Sequence, residues 1–400
     1  MLCRSPRTLP PMSTMRTPFG DNVLSLWPPT TDKSLRAWDA ADELLLNHLS
    51  EYCLTSSEGG KAVLLCNDSH GALSCALHSQ SLQVWSDSFL AHTSIRKNWR
   101  ANQLPGEPNC IDSMNTPDRA MDLVLIKLPK THALLEDQLA RLRPRLHART
   151  VIIAASLVRH LRPSVFALFE RYIGPVTTSL AQKKARLLFC EFDPSLNPPV
   201  SPYPDTYSDK DLNLTMVNHA NVFCRDRVDI GARFFLSQCH KLPVVNDIVD
   251  LACGNGILGI SVQKLQPHAR LHFIDESYMA IASTKTNFTR LIEAPDTKSP
   301  LFLVCHGLTQ LDNGMADLII CNPPFHLQHA VNDDTAQGFF KHAARCLKAD
   351  GQLWVVANRH LPYRNYLNRI FKRCDEVAAN AKFVLLRASE QKLPYESVVS

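Results

Sequence analysis

Three glycines set closely behind an apolar run constrain this chain more than any other feature in it. Ile248 to Ile260 reads I-V-D-L-A-C-G-N-G-I-L-G-I. The run from Val244 through Leu251, interrupted by Asn246, Asp247 and Asp250, has the content of a buried parallel strand, and a helix opening on the glycines is predicted through Leu265. Gly254 and Gly256 remove Cβ atoms that would hold a ligand away from the backbone, and Gly259 lets the helix sit close to the sheet. Such a turn faces a nucleotide cofactor with a helix N-terminus. By itself, Gly254-x-Gly256-x-x-Gly259 also fits a dinucleotide fingerprint.

Two further positions bear on the choice of cofactor. Asp275, in L-H-F-I-D-E-S, ends the next predicted strand 19 residues beyond Gly256. A carboxylate there can accept both ribose hydroxyls, which suits NAD and S-adenosylmethionine equally. The run Ala316 to Cys321 predicts another strand, and it closes on Asn322-Pro323-Pro324-Phe325. Hydride transfer has no use for that tetrapeptide, whereas methylation of an exocyclic amino group does. The amino lone pair is delocalised into its ring and attacks a methyl sulfonium only when acceptors hold its hydrogens. Asn322 Oδ1 and the Pro323 carbonyl are such acceptors, Pro323 and Pro324 fix φ and lack N–H groups, and Phe325 can stack on the base. Catalysis then rests on positioning and directed dipoles, with no metal required.

The loop D-L-A-C-G-N-G, the segment I-D-E-S-Y-M-A-I-A-S, and C-N-P-P-F-H followed by V-A-N-R-H-L resemble the bacterial ribosomal RNA guanine-N2 methyltransferases. L-R-A-W-D-A-A-D-E-L-L-L at Leu35 to Leu46 is more similar to the large-subunit branch than to the small-subunit one. The resemblance covers nearly the whole chain. It implies an α/β fold of two tandem Rossmann-like class I methyltransferase domains from an internal duplication, the N-terminal one degenerate. It further implies S-adenosyl-L-methionine as cofactor, N2 of a guanine in 23S rRNA as target, and Asn322, Pro323, Pro324 and Phe325 as the catalytic set. The expected cofactor residues are Asp250, Ala252, Gly254, Asn255, Gly256, Asp275, Glu276, Gly307, Leu308 and Asn322. Ala252 stands where a glycine is common in the family.

Four hundred residues with 45% apolar content can bury two ordinary cores. No apolar run approaches 18 residues and the N-terminal stretch has no continuous hydrophobic segment, so a membrane span and a secretory signal are not expected, and the location is expected to be cytoplasmic. Thirteen cysteines without a C-x-x-C spacing fit scattered reduced thiols better than a disulfide frame or a zinc site. Residues Met1 to Phe19 have little pattern, and Met12 or Met15 could serve as the start.

The net charge of +5 argues little for a nucleic-acid partner, but its distribution argues more. Between Arg141 and Arg186 there are ten basic residues (Arg141, Arg143, Arg145, Arg149, Arg159, Arg162, Arg171, Lys183, Lys184 and Arg186) and one acid, Glu170. Such a run is a phosphate-binding face or a solvated surface. Beside an RNA-modifying site, phosphate binding is the expectation.

The chain also repeats itself. Ala62 to Gly71 is strand, turn and helix start again, with one glycine in place of three. Ser86 to Asn98 lies over Asp275 to Asn287 once one gap is allowed, which puts Ser86 at the ribose acid. Asp122 to Lys130 matches Asp317 to Phe325, so that Lys127 replaces Asn322 and Lys130 replaces Phe325. A helix and a strand follow in each half, over Leu139 to Ser156 and Phe339 to Asn358, and Trp38 to Leu49 predicts an amphipathic helix ahead of the first sheet. Five prolines between Asp193 and Tyr207 predict a stiff linker, dividing the chain into 1–195, a linker at 196–210, and a catalytic domain at 211–400. The first half is expected to hold rRNA without cofactor, and a duplicated chain favours a monomer.

Phe223, Asp229 and Gly231 are candidates for a segment covering the cofactor, although a buried aromatic and a helix-start glycine explain them equally well. His306-Gly307-Leu308 is placed near the adenine by position alone, and His326 and His329 receive no role. Rival readings are a small-subunit rRNA target, a protein glutamine amide (where tyrosine is usual at the Phe325 position), and a non-catalytic RNA-binding protein with a relic pocket.

Overall fold

The computed structural model describes residues 12–30, 32–52, 54, 60–293, 298–323 and 329–392, without the side chains of 329–333. The chain divides into two units between Tyr203 and Pro204.

The first unit opens with a hairpin of β1 (Ser13–Thr17) and β2 (Gly20–Leu24) and the helix α1 (Ala40–Tyr52). Then come β3 (Ala62–Cys66), α2 (Ala72–Ala76), β4 (Ser81–Ser86), α3 (Phe89–Ala101) and β5 (Cys110–Asp112). It closes with β6 (Leu123–Lys127), α4 (His132–Leu142), β7 (Val151–Leu157), α5 (Pro163–Tyr172), β8 (Val176–Thr178) and β9 (Ala185–Cys190). Its sheet has the order β5-β4-β3-β6-β7-β9-β8, parallel except for the antiparallel β9 and its partners.

The second unit begins with the hairpin β10 (Asp205–Asp209) and β11 (Leu214–Asn218) and the helix α6 (Ile230–Leu236). It continues through β12 (Asp247–Leu251), α7 (Ile257–Leu265), β13 (Arg270–Asp275), α8 (Tyr278–Leu291) and β14 (Leu301–Val304). The remainder is β15 (Ala316–Cys321), α9 (His329–Cys346), β16 (Leu347–Asn358), α10 (Tyr363–Ile370), β17 (Phe371–Ala379) and β18 (Phe383–Gln391). The sheet order β14-β13-β12-β15-β16-β18-β17 repeats that of the first unit strand for strand.

The central strands read as unbroken apolar runs because both faces of each sheet are covered. In the first unit Val63, Leu65, Leu123 and Leu125 pack with α1 on one face, and Leu64, Cys66, Val124 and Ile126 pack with α4 and α5 on the other. On α1, Leu45, Leu46 and Leu49 are fully buried, and each such side chain contributes roughly 1.5–3 kcal/mol. Truncating Leu49 to alanine would cost about 2–5 kcal/mol, since it leaves a cavity. Helices α3 and α8 start alike: Ser88 Oγ accepts the Ala91 N–H at 3.1 Å and Ser277 Oγ accepts that of Ala280 at 3.0 Å, each cap worth about 1 kcal/mol.

The repeat extends to single hydrogen bonds. Asn98 Oδ1 accepts the Ser25 N–H while its Nδ2 donates to the Ser25 and His70 carbonyls. Asn287 does the same with Val217 and Asn255. Each asparagine ties its unit's hairpin to the turn after the first central strand. Ser88 and Asn98 therefore fall on Ser277 and Asn287 with equal spacing, and the gap allowed in the sequence comparison is not needed.

Two expectations are revised by the fold. The stretch ending at Phe19 contains β1, held by Met15, which is 1% exposed in the core beneath it. The stiff linker expected at 196–210 is tied to the first unit over its first part. Arg143 Nη2 donates to the Leu196 carbonyl, Ser201 Oγ to Asp137 and the Tyr203 hydroxyl to Glu136, so the prolines lay this stretch along the first unit. From Asp205 the chain is already strand β10. Prolines prevent helix but leave carbonyls free to accept, and those are what Arg143 binds.

Candidate active site

In an open parallel sheet the crevice for a ligand lies beyond the carboxyl ends of the strands where their order reverses. In the second unit that point is between β12 and β15, whose Leu251 and Cys321 are in register. One strand delivers the glycine loop there and the other delivers Asn322.

The loop leaves β12 with Ala252 in the left-handed region at φ 59, a conformation that costs an L residue roughly 1–2 kcal/mol. This is why glycine is at home there, and Asn67 takes the same conformation at the matching place in the first unit, with φ 63. Gly254, at φ 58, has nothing within 4 Å of where a Cβ would lie, and its N–H donates to Asp275 Oδ2 at 2.9 Å. Gly256 also needs to be glycine: its φ is 82, and a Cβ would stand 2.7 Å from Thr284. Asp275 ends β13 as expected, with Oδ1 accepting the Ser277 N–H at 3.0 Å. Glu276 follows in the turn to α8 and is partly exposed.

Asp250 and Asn255 are placed differently from the other expected cofactor residues. The Asp250 carboxylate is 1% exposed and lies under the loop, where Oδ2 accepts the Gly259 N–H at 2.8 Å. It anchors α7 to the sheet from below, because the alternation of a buried strand sends its side chain inward. Burial pushes its carboxyl up to about 7, opposed by the Gly259 hydrogen bond. Asn255 is buried too, and its Nδ2 donates to Asn218 at 3.0 Å. In the first unit the helix-anchoring role passes to Asp68, which accepts the N–H groups of Gly71 and Ser74, while Ser86 Oγ accepts from Ser88 N where Asp275 accepts from Ser277 N.

Beyond β14, Gly307 at φ 52 lies close to His342, and the Leu308 N–H meets His342 Nδ1 at 3.4 Å. Burial, and then the charge of nearby His306, hold the His342 imidazole down at about 4, and burial lowers His306 as well. Gly307 and Leu308 therefore adjoin neutral imidazoles on one side, while the Arg345 guanidinium donates to the Leu308 carbonyl. Cys253 and Cys321 are buried thiols raised well above the usual range, so neither is a nucleophile.

Asn322 follows the end of β15. Its Nδ2 donates to Asp229 Oδ2 at 3.0 Å, and its Oδ1 is buried with no hydrogen-bond partner among the described residues. A buried carbonyl left so costs about 1–3 kcal/mol. Pro323 follows, and Pro324, Phe325 and His326 lie outside the described residues, as does the side chain of His329. Of the three candidates for a covering segment, Phe223 is 49% exposed, Asp229 caps α6 by accepting the Ala232 N–H at 2.9 Å, and Gly231 is buried in that helix. The contact from Asp229 to Asn322 is not visible in the sequence, where 92 residues intervene; its one trace is that Asp39 and Asp229 each directly precede an apolar helix.

Six residues of the basic run, with Lys127 and Lys130 ahead of it, fall into two groups. Arg141 donates to the Ser113 and Asn115 carbonyls and pairs with Asp137. Arg143 donates to the carbonyls of Tyr172, Asp193 and Leu196 and lies over the Phe192 ring. Arg171 pairs with Glu136, Lys183 with Glu43, and Lys127 with Asp39 and Asp42. These cations are held within the first unit, so Lys127 and the Arg141 and Arg143 pair are not the open phosphate face expected. By contrast Lys130, Arg159 and Arg162 are exposed and have no ion pair among the described residues. They follow β6 and β7 at the carboxyl rim, close enough that, after burial, their charges lower the His160 imidazole.

Both units carry the strand order of the Rossmann-like methyltransferases. The first matches the RLMG N-terminal domain family over residues 12–194, and the second the methyltransferase small domain family over residues 213–387. Ribosomal RNA large subunit methyltransferase G of Streptomyces coelicolor is 42% identical over 383 residues, covering 94% of this chain and 100% of the relative. That of Ectopseudomonas mendocina is 42% identical over 382 residues, covering 95% and 100%. The T. Thermophilus 16S rRNA guanine-N2 methyltransferase RsmC, solved with AdoMet and guanosine, shares the fold across 95% of this chain and 98% of its own, at TM-score 0.73 and 19% identity. The chain belongs to the ribosomal RNA large subunit methyltransferase G family.

Proposed function

We propose that this protein transfers a methyl group from S-adenosyl-L-methionine to the exocyclic N2 of a guanine in 23S rRNA. The observation that carries the reading is the buried Asn322 Oδ1, without a hydrogen-bond partner among the described residues, following β15 at the switch point where the glycine loop leaves β12. The family relatives, named for large-subunit rRNA, support the choice of substrate.

The site fits an adenosine-type cofactor. Gly254 leaves room for close approach, Asp275 offers carboxylate oxygens at the rim for ribose hydroxyls, and the neutral His342 imidazole lies beside Gly307. Ala252, Gly256 and Glu276 are read as further cofactor contacts, with Asp250 and Asn255 acting through the loop and helix that they hold. S-adenosylmethionine supplies an electrophilic methyl group when bound. The chain's contribution is to hold the guanine amino group. Asn322 Oδ1 and the Pro323 carbonyl accept its hydrogens, localising the nitrogen lone pair for attack, and Phe325 stacks on the base. N2 is engaged in a duplex, so the guanine is taken unpaired or flipped. Lys130, Arg159 and Arg162 of the first unit hold RNA phosphates.

Mass mapping of N2-methylguanosine on rRNA from a strain lacking the gene tests this reading. One 23S position should lose its methyl group and regain it with the wild-type gene but not with Asn322→Ala. Loss from 16S rRNA alone, or full restoration by Asn322→Ala, would overturn it.

A further inference from the structure

We infer that Asp229 is the positioning residue of the Asn322 amide, setting which of its two ends faces the substrate. The inference rests on the reading of Asn322 as acceptor for the target amino group. An amide side chain has two ends of similar size, one accepting and one donating, and nothing intrinsic to it selects between them. An ionised carboxylate only accepts. Asp229 Oδ2, 3.0 Å from Asn322 Nδ2, therefore admits the nitrogen and repels the oxygen, so that Oδ1 is the end held off the carboxylate. Oδ1 is buried without a hydrogen-bond partner among the described residues, so the Nδ2 contact to Asp229 is what distinguishes the two ends there.

Asp229 is fixed in turn by the start of α6, whose Ala232 N–H donates to the same Oδ2 at 2.9 Å. Gly231 completes the cradle. A Cβ there would stand 3.0 Å from Asp229 Oδ2, 3.3 Å from the Phe383 ring and 3.4 Å from Asn322 Oδ1, so glycine is what lets the helix start come so near the amide.

The degenerate unit preserves the arrangement with a different partner. Asp39 precedes α1, accepts the Ala41 N–H at 2.8 Å, and receives Lys127 Nζ at 2.8 Å. Lys127 ends β6 where Asn322 follows β15. An ammonium has donors only, so the first unit has kept the aspartate and lost the acceptor it would orient. The link between helix start and strand end is thus common to both copies, and its catalytic use belongs to the copy with the amide.

Asp229→Asn in the full chain tests this. Asparagine caps a helix as well as aspartate does, but it can present either a donor or an acceptor to Asn322 and no longer selects one orientation. We expect kcat to fall by at least about tenfold, with KM for S-adenosylmethionine and the thermal midpoint unchanged. In an Asn322→Ser background, where no amide remains to be oriented, the same change should have little further effect on kcat. Gly231→Ala, whose Cβ would press on Asp229 Oδ2 at 3.0 Å and so displace the carboxylate without removing it, should also lower kcat without raising KM for the cofactor. If Asp229→Asn fails to fold, Gly231→Ala decides. Full kcat in the folded Asp229→Asn variant, or an undiminished effect of that change in the Asn322→Ser background, would overturn the inference and leave the proposed function standing. Full turnover by Asn322→Ala would remove the reading beneath it.

Discussion

Lys127 Nζ lies 2.7 Å from Asp42 Oδ1 inside the first unit, with 16% of the lysine side chain and 8% of the aspartate exposed. Asp39 completes the cluster at 2.8 Å. Burial pushes the Asp42 carboxyl up to about 6, against the pull of Lys127, while the two acids raise the lysine. Removing the lysine leaves two acids facing each other without a cation, so Lys127→Ala should destabilise the first unit by about 3–5 kcal/mol. Urea unfolding of the variant measures this directly, and a loss below 1 kcal/mol would mean that water already screens the cluster.

RNA affinity should follow the free cations and not the bound ones. Replacing Lys130, Arg159 and Arg162 together by alanine should lower the slope of log affinity against log salt by roughly two to three units. Arg143→Ala should leave that slope alone and lower stability instead, since it strips donors from four backbone carbonyls. Filter binding of 23S rRNA across a salt series, beside thermal melts, separates the two outcomes. An unchanged slope in the triple variant would make that rim a solvated surface.

Asp275→Ala should weaken S-adenosylmethionine binding by about 1.5–3 kcal/mol, the range for hydrogen bonds to a charged group. Part of the loss is indirect, because Asp275 also holds the Gly254 and Ser277 N–H groups. Calorimetric titration of cofactor measures it, and unchanged affinity would place the ribose contact elsewhere.

Asp250 gives the second unit a dependence on pH. Its folded pKa of about 7 lies above the ordinary 3.8, so folding favours the protonated acid. The stability contributed by that protonated form is fully present below about pH 4 and is lost as pH rises through about 7. The full difference amounts to ~4 kcal/mol. Asp250→Asn, which cannot ionise and can still accept the Gly259 N–H, should be more stable than wild type near pH 8, by a margin that shrinks toward pH 5. Thermal melts of the pair over that range test it; a margin independent of pH would mean that Asp250 titrates normally.

Much of the fold was legible in the chain. Parallel strands buried on both faces must be continuously apolar, which is why β12, β15 and β6 could be read directly. A tight turn against a ligand needs glycine, which is why Gly254 and Gly256 stood out, and a duplicated sheet repeats its spacings, which exposed the two halves. Asp275 and Asn322 were legible for the same local reason: each closes a strand at the rim where the sheet can bind a ligand.

Only the tertiary structure decided what each polar group is used for, because a charge or an amide carries no mark of its partner in the sequence. Arg143 and Lys130 are both cations between apolar segments, yet one meets backbone carbonyls and the other meets solvent. Asp250 and Asp275 both belong to strands leading to the same crevice, yet side-chain alternation and register bury the first beneath the loop and leave the second at its edge. Asp229 and Asn322 are 93 residues apart, and their contact exists only because α6 packs over the sheet where β15 ends. The sequence determined the scaffold and the residues available at its rim; the packing of a capped helix against a strand end decided which end of one amide is free to accept a hydrogen.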